Sequence, residues 1–147
     1  MNEKRLTSRL TSYWEMLRKE QPLPEFSKFN SSSIADAWDT CMTLAIQPSQ
    51  DNTARTYKYV QLGPKLVTML GKDPTGSYVK AKQRGFPGAR IIKDIDKAAD
   101  SAEPLYDGGQ FVTEKNKVVK FRSCLLPFGN ANDGVTHMLV GLSWREF

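Results

Sequence analysis

The sequence predicts an α+β domain, a five-stranded antiparallel sheet in outline, with short helices on one face and a flanking helix at the N-terminus. Three observations support the sheet and its helices. Apolar residues recur at helical spacing through the first twenty positions, two alternating segments follow, and three more alternating segments close the chain after a helix-rich middle. Strands that flank a helical middle build an antiparallel sheet, not the parallel sheet of a strictly alternating strand–helix chain.

The first helix lies within 3–20, where Leu6, Leu10, Tyr13, Trp14 and Leu17 form one apolar stripe and Arg9, Glu15 and Lys19 fall mostly outside it. QPLPEF ends it, because proline cannot continue a helix and restricts the residue before it. NSSS over 30–33 supplies a capping residue for a short turn, IADAWD. These segments divide the chain into a flanking helix and linker over 1–33 and a sheet domain over 34–147. CMTLAIQ alternates Met42, Leu44 and Ile46 against Cys41, Thr43 and Ala45, and a polar turn leads into RTYKYVQL, so the two strands form a hairpin.

Within YKYVQLGPKLVTMLGKDPTG, Gly63-Pro64 opens a short helix, since proline is tolerated in a first turn, and Gly71 closes it. Residues 72–90 are turn-rich, with DPTG and GFPG on either side of the basic run YVKAKQR. From 89 to 102 the pattern is helical again, with Ile91, Ile92, Ile95 and Ala99 as its stripe. EPLYDGGQFVTE reads as a strand interrupted by a bulge at Gly108-Gly109, and KVVKFRSCLLPF and VTHMLVGLSW follow around the loop GNANDG.

Composition bounds the function. The 147 residues suit one domain with a real core, and 39% hydrophobic and 25% charged residues are ordinary for a globular chain. No run approaches the roughly 20 consecutive apolar residues of a membrane helix, and the N-terminus has no signal-peptide core, so a cytoplasmic location is expected. Cys41 and Cys124 are expected as buried thiols, and two cysteines with one histidine cannot build an ordinary structural zinc site. A net charge of +5 favours encounter with nucleic acid, anionic lipid or an acidic protein without establishing any of them.

The order of elements, two strands, short helical pieces and three strands, resembles the PAS fold. The motifs strengthen it: YWEMLR over 13–18, Leu23-Pro24, the tyrosine-rich second strand, GKDPTG as Gly-x-Asp-x-x-Gly, LLPFGN and MLVGLSW. In that order they are similar to a compact alphaproteobacterial PAS variant over roughly 10–144. The resemblance implies a sensory or adaptor protein in bacterial signalling, acting through a small ligand, through protein contacts, or both. No kinase, cyclase or DNA-binding segment fits in the chain, so an output domain of its own is not expected.

PAS domains bind haem, flavin, metabolites or nothing, and each needs particular residues. A haem ligand would be expected on the long helix before the third strand, where ARIIKDIDKAAD has no histidine; His137 sits in the last strand, opposite Met138, Val140 and Leu142. A photoactive flavin site would need an Asn-Cys-Arg motif, which neither cysteine has. No cofactor and no enzymatic activity are expected, because no nucleophile has a base and an orienting group beside it. Asp94, Asp96 and Asp100, interleaved with Lys93 and Lys97, read as a solvated face.

Three groups of residues remain as candidate sites. Met42, Leu44, Val60, Leu70, Phe86, Ile91, Ile95, Phe121, Met138 and Val140 are expected to face the helices, as a filled core or as the lining of a small pocket. Lys80, Lys82, Arg84 and Arg90 surround a glycine-rich approach to a helix and could hold an anion. A basic nucleic-acid-binding domain is the alternative function. The stripe of Leu6, Leu10, Tyr13, Trp14 and Leu17 is too apolar for water, and a second copy of the chain is its expected cover; folding back over its own domain is the competing arrangement.

Overall fold

The computed structural model describes residues 3–48, 54–82, 86–113 and 115–146. The chain runs through α1 (Glu3–Arg18), two short 3-10 turns, α2 (Ala35–Trp38), β1 (Cys41–Pro48), β2 (Arg55–Leu62), α3 (Pro64–Leu70), α4 (Gly88–Ser101), β3 (Leu105–Val112), β4 (Val118–Asn130) and β5 (Gly134–Glu146). The strands form one sheet in the order β2-β1-β5-β4-β3, with every neighbouring pair antiparallel. The predicted fold class is therefore the observed one.

The alternation of side chains along each strand splits the core into two layers. Met42, Leu44, Tyr57, Tyr59, Phe121, Leu125, Met138, Val140 and Leu142 point to one face, where Leu66 of α3 and Ile91 and Ile95 of α4 meet them. Cys41, Cys124, Leu126, Phe128 and Leu139 point to the other, where Leu6, Leu10, Tyr13 and Trp14 of α1 cover them. The sheet is the middle of three layers.

Two strand details differ from expectation. Met42 pairs with Leu62 and Thr43 with Gln61, but Leu44 pairs with Tyr59, so Val60 is an extra residue and the register slips there. The slip moves Tyr57 and Tyr59 onto the face beneath the helices and leaves Val60 half-buried outside that cluster. In β3 the converse holds. Gly108 and Gly109 pair with Arg122 and Phe121 without any shift, so the bulge expected there is absent. A Cβ on Gly109 would stand 3.0 Å from Nε of Arg90, and the glycine lets that arginine lie across the strand.

Helix α1 is held on the back of the sheet by shape and by one buried hydrogen bond. A Cβ on Gly141 would stand 2.3 Å from Cδ1 of Leu10, so the glycine leaves a notch in β5 that the leucine fills. Trp14 Nε1 donates to the carbonyl of Pro127 at 2.6 Å. Pairing between β3 and β4 ends at Leu105 and Leu125, so Pro127 lies past the end of β3, where a residue without an N–H is tolerated. The linker continues the cover: Gly129 N donates to the Pro24 carbonyl at 2.9 Å, and Phe26 and Phe29, stacked on each other, each meet Phe128 edge to face. Leu6, Leu10, Tyr13 and Trp14 are each at most 4% exposed within a single chain, and Leu17 is half-buried. The cover expected from a second copy is thus supplied by the chain's own sheet.

Replacing Trp14 by alanine opens a cavity and orphans the Pro127 carbonyl, so Trp14→Ala is expected to cost about 3–5 kcal/mol of folding stability in chemical denaturation. A loss within 0.5 kcal/mol would mean that α1 does not pack as described.

Candidate functional site

The sheet face beneath α3 and α4 is the candidate site, and α4 organises it. Its fourteen residues cross the sheet, and polar bonds fasten it at both edges. At the β2 edge, the Tyr57 hydroxyl donates to Asp96 Oδ1, and Arg55 pairs with Asp100 at 2.7 Å. At the β3 edge, Arg90 donates twice to Asp107, Nε to Oδ2 and the terminal nitrogen to Oδ1, both at 3.0 Å. Forked pairing of this kind fixes orientation as well as distance. Asp100 is 68% exposed, so its pair with Arg55 contributes little more than alignment.

Asp94 belongs to the same edge but is buried, at 4% exposure. Its carboxyl group is within hydrogen-bonding reach of Asp107, and its Oδ2 has no partner. Burial first, then the bond to Asp107 and that residue's charge, push the Asp94 carboxyl up to about 7. The Arg90 guanidinium holds Asp107 well below the usual carboxylate range, with smaller help from Asp94 and the Gly108 backbone. Of the two carboxyl groups, Asp94 is therefore the one that keeps a proton more readily. The solvated face that interleaved charge suggested holds only for Asp100: Asp94 is buried and Asp96 half-buried. The missed signal was phase: Asp94 lies between Ile91, Ile95 and Ala98, inside the apolar stripe of α4.

Of the predicted pocket residues, Met42, Leu44, Phe86, Ile91, Ile95, Phe121, Met138 and Val140 share one buried cluster, Leu70 packs half-buried at its margin, and Val60 stands outside. Met42, Leu44, Ile91, Ile95, Met138 and Val140 are 0% exposed, so not even a water-sized void touches them. Tyr59, which the sequence pattern did not place in this cluster, has an unpartnered buried hydroxyl, and burial pushes it up to about 12.

The predicted anion group lies only partly within the described residues. Lys80 and Lys82 are exposed, Arg84 lies outside the described residues, and Arg90 is committed to Asp107. His137 is on the α1 side of the sheet, stacked on Phe26 with ring centres 3.9 Å apart, and burial lowers its basicity. Its Nδ1 bonds the Thr136 hydroxyl at 2.9 Å. Cys41 and Cys124 both stand beside Gly141 in the sheet register, also on the α1 side. Two strand spacings separate them by roughly 10 Å, beyond disulfide reach. Among the described residues, no three His, Cys, Asp or Glu side chains converge as a metal site, and no helix is long and apolar enough to cross a membrane.

No family model matches the sequence, and no curated protein matches it. Solved structures do match. A light-oxygen-voltage domain studied with a flavin analogue aligns over 78% of this chain and 82% of its own, with a TM-score of 0.53 at 8% identity. The Rhodobacter sphaeroides LOV protein aligns over 80% of this chain and 66% of its own, with a TM-score of 0.51 at 19% identity. The PAS domain of Bordetella pertussis BvgS aligns over 80% and 88%, with a TM-score of 0.50 at 11% identity. Likeness at such identities is a likeness of fold: the chain has the PAS architecture.

Burial pushes the Cys124 thiol up to about 12 and Cys41 further, so little reactive thiolate forms at neutral pH. Iodoacetamide at pH 8 is expected to leave both thiols unmodified in the native protein over a time that suffices for complete modification after unfolding. Rapid reaction of either native thiol would contradict the placement of α1 over them.

Proposed function

We propose that the chain is a PAS-type sensory or adaptor module that acts by contact with other proteins, not by catalysis. The observation that carries this is α4, tied by polar bonds to both edges of the sheet above a closely packed face. A change in a helix so tied alters both edges of the sheet at once, and edges and helix backs are the surfaces a partner meets. The flavin named for one light-oxygen-voltage relative is not carried over to this chain. Both cysteines lie on the α1 side, away from the face where α3 and α4 would enclose a ligand. A small ligand would have to part Met42, Leu44, Ile91, Ile95 and Met138 before it could enter. A second copy of the chain is the first partner to expect. It would meet a surface other than the α1 stripe, which the chain already covers.

Native mass spectrometry of the purified wild type and of Trp14→Ala tests this. The expected spectrum shows the mass of the bare chain and the same oligomeric state for both proteins, with no stoichiometric absorption band of haem or flavin. A bound cofactor at one per chain would replace the contact-based proposal with a cofactor-based one. A wild-type dimer that becomes a folded monomer in Trp14→Ala would show that the stripe works between chains.

A further inference from the structure

The geometry points to Arg90, Asp94 and Asp107 as a proton-dependent clasp, closed when Asp94 is protonated and loosened when it ionises, that joins α4 to β3. The closed form follows from the contacts. A protonated Asp94 donates to the Asp107 carboxylate, and the Arg90 fork satisfies both oxygens of that carboxylate at 3.0 Å. Removing the proton leaves two adjacent carboxylates and one guanidinium, which is forked on Asp107. It also leaves a charge on a side chain that is 4% exposed and whose Oδ2 has no donor.

The neighbours do not cancel that charge. From α4, Arg90 and Lys97 favour the ionised form, but Arg90 already serves Asp107 and Lys97 is exposed. Lys93 lines the same cleft, of about 220 Å³, from the solvent side. From β3, Asp107 opposes ionisation, and the exposed Tyr106 lies at the cleft margin. From β4, Phe121, Ser123 and Leu125 take this face, while Lys120 and Arg122 alternate to the other. Ser123 pairs in register with Asp107, and its buried hydroxyl has no partner.

The direction of the effect is fixed by the two shifts. The folded state keeps the Asp94 proton up to about 7, above the value of 3.8 in the unfolded chain, so this group's support for folding falls as pH rises between those limits. Asp107 is shifted the other way, and its support is lost only in strong acid. Near neutral pH the clasp therefore loosens with added base.

Carbon-detected NMR of the aspartate side-chain carboxyl groups tests the proton directly, and amide hydrogen exchange tests the clasp. In the wild type, the Asp94 carboxyl is expected to titrate near pH 7, and in Asp107→Asn its midpoint should fall by about one unit or more. After correction for the intrinsic base-catalysed rate, α4 and β3 amides should exchange faster at pH 8 than at pH 6 in the wild type. In Asp94→Asn, whose amide remains uncharged, exchange should be equal at both. An Asp94 midpoint in the ordinary carboxylate range, a midpoint unmoved in Asp107→Asn, or wild-type exchange that does not change with pH would each overturn the proposal.

Discussion

Leu10 occupying the notch above Gly141 is the contact on which the three-layer arrangement depends. A side chain on residue 141 would meet the leucine methyl at 2.3 Å, so any other residue there would push Leu10 out of the notch. With α1 seated, Tyr13 and Trp14 fall over Phe128 and Leu139, and the Trp14 indole reaches the carbonyl of Pro127. Each fully buried side chain of this size contributes about 1.5–3 kcal/mol, so the stripe outweighs the modest propensity of an isolated helix. The two thiols beside the notch are sealed by the same contact.

Closing the back of the sheet leaves the front to α3 and α4. There the fastening is polar at the margins and apolar between them. Tyr57, Asp96, Arg55 and Asp100 hold one end of α4 while Arg90, Asp94 and Asp107 hold the other. The sheet edges joined in this way, β2 and β3, are the two farthest apart in the strand order. The anchors of α4 therefore reach from one edge of the sheet to the other.

Fold class was legible because periodicity is: the stripe of α1, the alternation of β1 and β5, and the glycine after α3 each reflect one local rule. Val60 was not legible, since alternation alone cannot reveal a register slip that depends on how β1 pairs with β2. Gly108 and Gly109 misled in the opposite sense. Two glycines in a strand suggest a bulge, but here they make room for the side chains of Arg122 and Arg90, which come from elsewhere in the fold. The site was half legible. Its apolar residues followed from pattern, while its polar fastenings join residues such as Tyr57 and Asp96 that stand 39 positions apart. Only Asp94 advertised itself, as a charge within an apolar stripe. The stripe of α1 showed that it needed a cover but not whose, because a helix cannot tell its own sheet from a neighbour's.

The three-layer fold turns on α1 packing within its own chain. An isotope-filtered NOE experiment on a mixture of labelled and unlabelled protein measures this through the Leu10 methyl and the Gly141 Hα protons. A strong NOE within one chain is expected, unchanged on dilution to concentrations at which the protein sediments as a monomer. An NOE found only between differently labelled chains, or none at all, would contradict it.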